Sequence, residues 1–249
     1  MSKSPRRLVL LDLDGTLTAS HPGIIASVIQ TFKELGHPVP DEGALRRFIG
    51  PAIEVSLRHN GIREEDVDRG VQIYRRYYSG IAAFEDPEHP GHQVPGRLLA
   101  TVFDGIPEQL SRMRQHGLTI AVATCKPEYQ ALPVCDHFGL TPLVDGVYGA
   151  SKDSTRITKA QVITYALEKI GCNAKLGDRA LMVGDRWTDA DGALETGLDC
   201  LGCRWGYAEP GELESHGCYR IIEQVDQLCQ AVDDYFDNDH TSTESARTA

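Results

Sequence analysis

Three segments of this 249-residue chain place reactive side chains directly behind short apolar runs. Leu8-Val9-Leu10-Leu11 ends in Asp12-Leu13-Asp14-Gly15-Thr16, and Ile120-Ala121-Val122-Ala123 ends in Thr124-Cys125-Lys126. Ala180-Leu181-Met182-Val183 ends in Gly184-Asp185, with Asp189 four residues on. Cleaving a phosphate ester through a covalent intermediate needs a nucleophile that can attack phosphorus and then be released. An aspartate carboxylate does this by forming an acyl phosphate that water opens. A carboxylate approaches a phosphate dianion only when the charge is neutralised, which a hard cation such as Mg²⁺ held by other carboxylates supplies. The departing alkoxide needs a proton, so a second carboxylic acid must stand close by. Asp12 can be the nucleophile and Asp14 the acid/base, while Gly15 lets the backbone turn away from the strand.

The elements that must position these residues follow from the pattern around them. Apolar runs this short read as strands buried on both faces of a parallel sheet. Ligands of such sheets bind at the carboxyl ends of the strands. Asp12, Asp14, Thr124, Lys126 and Asp185 are therefore expected to meet at one edge. Residues 7–13 read as the first strand. Ile24, Ile25, Val28, Ile29, Phe32 and Leu35 recur at helical spacing over 22–35, with Ser20 as the expected N-cap, Pro22 in the first turn and Gly36 at the end. Further helices are expected at 41–49, 51–60 and 64–84, and no strand between 17 and 100. Residues 85–102, with three prolines and two glycines between 85 and 96, are expected to hold no regular element. Strands at 118–124, 143–148, 180–184, 198–203 and 219–222 then alternate with helices at 105–116, 128–138, 156–170, 189–196 and 225–236.

This order gives an α/β fold, a doubly wound Rossmann-like parallel sheet with a small all-helical unit inserted after the first strand. The expected boundaries are 1–16 and 103–236 for the core, 17–84 for the helical insertion and 85–102 for the return loop. The polar segment 237–249 reads as a disordered tail.

Composition narrows the class. Apolar residues make up 41% and charged residues 24%, ordinary for a globular protein, and the formal net charge of −11 argues against a nucleic-acid surface. No stretch reaches the roughly 20 apolar residues of a membrane span, and the apolar run after Arg6 and Arg7 is too short for a signal peptide. The seven cysteines (125, 135, 172, 200, 203, 218 and 229) are odd in number and scattered, which fits a reducing compartment. The cytoplasm is the expected location. Cys200 and Cys203 form a lone CxxC without a partner pair and read as buried strand residues. His89 and His92 read as solvated loop residues.

Taken together, these segments resemble the haloacid dehalogenase-like superfamily. Asp12-Leu13-Asp14-Gly15-Thr16-Leu17 matches its DxDGT signature, Thr124 its second motif, Lys159 its third, and Gly184-Asp185 with Asp189 its fourth. Ser20-His21-Pro22-Gly23-Ile24, Phe48-Ile49-Gly50-Pro51, Thr155-Arg156-Ile157-Thr158-Lys159-Ala160 and Met182-Val183-Gly184-Asp185-Arg186 are similar to the branch that holds phosphoglycolate phosphatases, 5′-nucleotidases and pyrophosphatases. The resemblance implies Asp12 as phosphoryl acceptor and Mg²⁺ ligand, and Asp14 as acid/base with its backbone carbonyl on the metal. It implies Thr124 as a hydrogen-bond donor to the phosphoryl group, Lys159 as the charge-stabilising cation, Asp185 as a further Mg²⁺ ligand, and Asp189 as the residue that orients Asp185 or a metal-bound water.

Lys126 is a rival to Lys159 as the phosphate-site cation, because a lysine in the first turn of a helix opposes the helix dipole unless an anion stands beside it. The helical insertion lies where the family places a cap that closes over the site. Arg46, Arg47, Arg75 and Arg76 are its candidates for an anionic substrate, Arg47 first among them.

The expected activity is Mg²⁺-dependent hydrolysis of a small phosphorylated metabolite, phosphoglycolate-like or a nucleoside 5′-monophosphate, by a monomer or homodimer that binds neither nucleic-acid polymer nor membrane. Three alternatives share the fold: a phosphomutase of the β-phosphoglucomutase type, a dehalogenase (against which Asp14 and Asp185 argue) and a binding protein without turnover.

Overall fold

The computed structural model describes residues 5–49, 53–87, 89–153 and 155–238. Two compact units emerge: one made of the residues up to Leu17 together with those from Val102 on, the other of Thr18–Thr101. In chain order, β1 (Arg7–Leu11) is followed by β2 (Thr18–Ala19), α1 (His21–Leu35), α2 (Glu42–Arg46), α3 (Ile53–His59), α4 (Glu64–Arg75), β3 (Phe84–Glu85), β4 (Gln93–Val94) and β5 (Thr101–Val102). Then come α5 (Ile106–Gln115), β6 (Thr119–Pro127), α6 (Glu128–His137), β7 (Gly146–Ala150), α7 (Lys159–Ile170), β8 (Arg179–Gly184), α8 (Trp187–Glu195), β9 (Asp199–Cys203), α9 (Glu212–Ser215), β10 (Arg220–Ile222) and α10 (Leu228–Asp237).

The first unit is built on a six-stranded sheet in the order β10-β9-β8-β1-β6-β7, and the pairings are parallel. β1 sits between β8 and β6, with Leu8–Leu11 opposite Thr119–Val122 on one side and Ala180–Val183 on the other. A strand paired on both edges and covered on both faces must be apolar at every position, and Leu8–Leu11 are at most 1% exposed. Strand alternation sends Leu8 and Leu10 to one face, where they pack with Ala121, Ala123, Met182 and the α7–α8 residues Val162, Ile163, Ala166, Ala190 and Ala193. Winding starts at β1, runs outward through β6 and β7, then returns to β8 and runs outward the other way. That reversal beside β1 is a topological switch point, where open α/β sheets hold their ligands.

The second unit is helical over most of its length. In α1, Ile24, Val28 and Phe32 are buried, Pro22 lies in the first turn and Gly36 ends the helix in the left-handed region. Ser20 does not cap it: its backbone is already helical and its buried hydroxyl makes no hydrogen bond.

The expected single helix over 64–84 stops at Arg75 and loosens into a π-helical turn over Arg76–Gly80, with Tyr74 and Tyr78 stacked at 5.2 Å. The segment 85–102 differs from expectation as well. Phe84 and Glu85 pair antiparallel with Val94 and Gln93, and Gly96–Leu98 form a 3₁₀ turn. The prolines fall between and beyond the two short strands rather than within them, so they leave the pairing intact. Residues 85–101 thus belong to the second compact unit, not to a separate return loop. His89 and His92 are exposed there. Asp237 closes α10; from 239 on, the expected tail lies outside the described residues, as do Gly50 and Pro51.

Candidate active site

The carboxyl ends of β1, β6 and β8 gather the reactive side chains within the first unit. Asp12 follows β1 directly, its N–H donating to the Val183 carbonyl of β8 at 2.9 Å. Asp185 and Asp189 leave β8 on either side of the start of α8. Thr124 and Lys126 lie on the last residues of β6, where the pairing with β7 shifts register between Thr124 and Pro127. Lys159 opens α7 behind a capping box formed by Thr158 and Gln161.

The two lysines take different carboxylates. Lys126 Nζ lies 2.8 and 2.6 Å from the two oxygens of Asp14. The buried Lys159 Nζ donates to the Ala123 carbonyl at 3.0 Å and stands 2.9 Å from Asp12 Oδ1 and 2.7 Å from Asp189 Oδ1. Two carboxylates explain a cation at the first position of a helix, where the dipole disfavours it. Burial works against the Lys159 charge, but Asp12 and Asp189 outweigh it and hold the ammonium well above its usual range.

Asp185 is fully buried and held by two donors. The Thr16 hydroxyl donates to Oδ1 at 3.0 Å and the Tyr207 N–H to Oδ2 at 2.7 Å. Burial, then the charges of Asp189 and Asp12, push it well above the ordinary carboxylate range in spite of those donors. Burial pushes Asp189 up to about 6, with Lys159 drawing it down. Its Oδ2 accepts from the Arg186 N–H at 3.1 Å. Two glycines make room for Asp185: a Cβ at Gly15, whose φ is 93°, or at Gly206 would collide with its side chain.

One oxygen each from Asp12, Asp185 and Asp189 lies within 4.8 Å of the others. Four carboxylates (12, 14, 185 and 189) face two ammoniums (126 and 159), which leaves two formal negative charges. Asp12 Oδ1 and Asp189 Oδ1, although beside Lys159, receive no well-aligned hydrogen bond. An all-oxygen donor set with that charge excess fits a hard divalent cation such as Mg²⁺. The Asp14 carboxylate is held by Lys126 and is not one of these three, which leaves its expected backbone-carbonyl role untouched, whereas Asp189, expected behind Asp185, offers an oxygen within the group. Thr124 is buried, with its hydroxyl oxygen 3.2 Å from the Lys126 N–H.

Arg47 is not among the residues gathered here. It belongs to the second unit, exposed at the C-terminal boundary of α2. Arg46, Arg75 and Arg76 pair with Glu42, Glu54 and Glu34.

Several supporting residues escape a reading by motif. Glu212 Oε1 accepts from Arg186 Nε and from the Trp187 N–H, both at 2.8 Å, and so fixes the turn between Asp185 and Asp189. Trp205 Nε1 donates to the Thr16 carbonyl at 3.1 Å. Trp187 itself is half exposed, its ring 5.7 Å from that of His216. Segment 204–212 reaches the site because β9 lies beside β8, and the one sequence signal for that was the strand pattern itself. Cys200 and Cys203 are both buried in β9, as expected of strand residues.

Residues 9–203 match the family model described as haloacid dehalogenase-like hydrolase. The chain belongs to that family. Among similar proteins, the tyrosine-protein kinase PtkA of Mycobacterium tuberculosis is 35% identical over 232 residues, spanning 92% of this chain and 73% of PtkA. A 5′-nucleotidase of Pseudomonas aeruginosa is 34% identical over 209 residues, 84% of this chain and 87% of that protein. The crystal structure of a predicted phosphatase from Clostridium acetobutylicum superposes with a TM-score of 0.78 at 31% identity, covering 93% of this chain and all of that one.

Proposed function

We propose that this hydrolase is a Mg²⁺-dependent phosphatase that cleaves small phosphomonoesters through an aspartyl-phosphate on Asp12. The observation that carries the reading is the paired arrangement at the sheet edge: Asp12 beside the Lys159 ammonium at 2.9 Å, with Asp14 on Lys126 at 2.6 Å. Asp12, Asp185 and the Asp14 backbone carbonyl would hold the metal, with Asp189 offering a further oxygen, and the metal when bound would neutralise the phosphate charge.

Lys159 aims Asp12 and stabilises the negative charge that builds on the transferring group in the transition state. The Thr124 hydroxyl donates to a phosphoryl oxygen. Asp14 would pass a proton to the leaving alkoxide and then take one from the water that opens the acyl phosphate. Lys126 orients Asp14 and adds positive charge near the anionic substrate. Phosphoglycolate-like esters and nucleoside 5′-monophosphates are the leading substrate classes, supported by the 5′-nucleotidase relative and by the branch that the motifs resemble. Among the described residues no helix is long and apolar enough to cross a membrane.

The relative named a tyrosine kinase supports a second reading, in which the phosphoryl group passes to a tyrosine hydroxyl rather than to water. Phosphate release from a panel of phosphoglycolate, nucleoside monophosphates, sugar phosphates and pyrophosphate, with Mg²⁺ and with EDTA, separates the readings when ATP plus a tyrosine peptide is included. Metal-dependent release that Asp12→Asn abolishes is the expected result. Phosphotyrosine formation without phosphate release would favour the second reading, and isomerisation of β-glucose 1-phosphate would favour a mutase.

A further inference from the structure

A second set of metal-binding side-chain types meets at the opposite end of β6 from the carboxylate centre. His116 closes α5, just before β6 begins, while Cys229 and Asp233 lie one helical turn apart on α10. His116 Nδ1 is 2.7 Å from Asp233 Oδ2, and Cys229 Sγ is 3.7 Å from each of those atoms. Both partners address the same ring nitrogen. That differs from a nucleophilic relay, in which the carboxylate holds one nitrogen and the thiol meets the other. Burial and the Asp233 carboxylate also push the thiol up to about 11, with Arg112 drawing it down, so it is not a ready nucleophile.

Three donors converge on one point instead. Tetrahedral zinc, with bonds of about 2.3 Å to sulfur and 2.0–2.1 Å to nitrogen or oxygen, separates sulfur from the other ligands by about 3.6 Å and nitrogen from oxygen by about 3.4 Å. The two edges to sulfur already match. The His116–Asp233 edge must open by about 0.7 Å, against a carboxylate that has no Lys or Arg ion-pair partner among the described residues.

We propose that His116, Cys229 and Asp233 form a Zn²⁺ site, with a water as fourth ligand, separate from the carboxylate centre and fastening the end of α5 to α10. Both carriers are anchored: the Cys229 N–H donates to Gln109 Oε1 at 2.9 Å, and Arg7 donates to the His116 carbonyl at 2.8 Å. The sulfur is buried while the His116 ring is exposed, so the ion enters from solvent and meets the thiol last. As zinc binds, the thiol proton leaves to solvent, and so does the proton shared by Nδ1 and Asp233, unless the ring keeps it on Nε2. One thiolate and one imidazole select zinc over Mg²⁺, the reverse of the all-oxygen cluster at the other end of β6.

The test is a Co²⁺ titration of the reduced, metal-stripped protein with excess Mg²⁺ present. A thiolate-to-cobalt charge-transfer band is expected to saturate at one equivalent and to vanish on adding an equivalent of Zn²⁺, which binds such sites more tightly. Cys229→Ser should abolish the band. His116→Gln, at an exposed position that leaves packing intact, should weaken Co²⁺ binding by at least about 10–100-fold. Phosphate release by both variants should equal that of the unaltered protein. Absence of the band overturns the proposal. So does a band that survives Cys229→Ser but is lost in Cys125→Ser, or one that His116→Gln leaves at full affinity.

Discussion

Asp185→Asn should make the metal-free protein more stable while it removes the response to Mg²⁺. The Asp185 oxygen lies within 4.8 Å of an oxygen of Asp12 and one of Asp189. At an effective dielectric of about 20, unit charges at that separation repel by about 3.5 kcal/mol per pair. Lys159 sits against the other two carboxylates, not against Asp185. Burial and its two neighbours hold Asp185 well above the usual carboxylate range, so proton uptake already relieves part of the repulsion. The amide keeps one acceptor for Thr16 or Tyr207 and turns a donor on the other, at a cost of about 1–3 kcal/mol.

The balance favours the amide, and for a chain of this size each kcal/mol gained raises Tm by about 2–4 °C. Mg²⁺ at 100 times its Kd adds about 2.7 kcal/mol to the unaltered protein, or about 5–10 °C, and should add almost nothing to the variant. Thermal unfolding in EDTA and in Mg²⁺ reads both effects. A variant that melts lower in EDTA, or that Mg²⁺ lifts as far as the unaltered protein, would refute the reasoning.

Three further outcomes are expected. Lys159→Met leaves Asp12 and Asp189 buried without their counter-ion and should cost about 3–5 kcal/mol in a denaturant melt, whereas Lys126→Met, beside the partly exposed Asp14, should cost about 1 kcal/mol and act mainly on turnover. Glu212→Ala should lower kcat/KM by about 10–100-fold and weaken Mg²⁺ binding together, with Glu212→Gln restoring most of both, because the turn between Asp185 and Asp189 loses its acceptor. Asp178 accepts N–H bonds from Arg6 and Asn173 and pairs with the Arg6 guanidinium, which hold its carboxyl below the ordinary range. Its contribution is complete above the ordinary aspartate pKa of about 3.9 and fades as pH falls through the depressed value. The stability gap between Asp178→Asn and the unaltered protein should therefore close on acidification, as a series of melts across pH would show.

What could be read without coordinates was what local chemistry dictates. The apolar runs before Asp12, Thr124 and Asp185 admit little besides buried parallel strands, and those strand ends do converge within one unit. The pairing of Lys126 with Asp14 spans 112 residues, so adjacency to Thr124 alone could not separate it from the Lys159 pairing. Ser20 has the right residue type for a cap, but its backbone is helical and its hydroxyl is buried. The Phe84–Val94 pairing was hidden by prolines that lie outside the two hydrogen-bonded positions on each strand. Glu212 and Gly206 carry no motif at all. They matter because β9 lies beside β8, a fact of sheet order rather than of sequence pattern.

The central place of β1 has a consequence for how the chain is made. β1 leaves the ribosome before either of its neighbours, and the second of them, Arg179–Gly184, is translated more than 160 residues later. At about 5–20 residues per second, that delay is about ten to thirty seconds. During it, an apolar strand that ends fully buried stays without at least one of its two neighbours, while Thr18–Thr101 has all the sequence of its own compact unit in hand. The nascent chain thus exposes its nucleophile-bearing strand through much of synthesis, and a chaperone that binds short apolar segments would find a target in Leu8–Leu11.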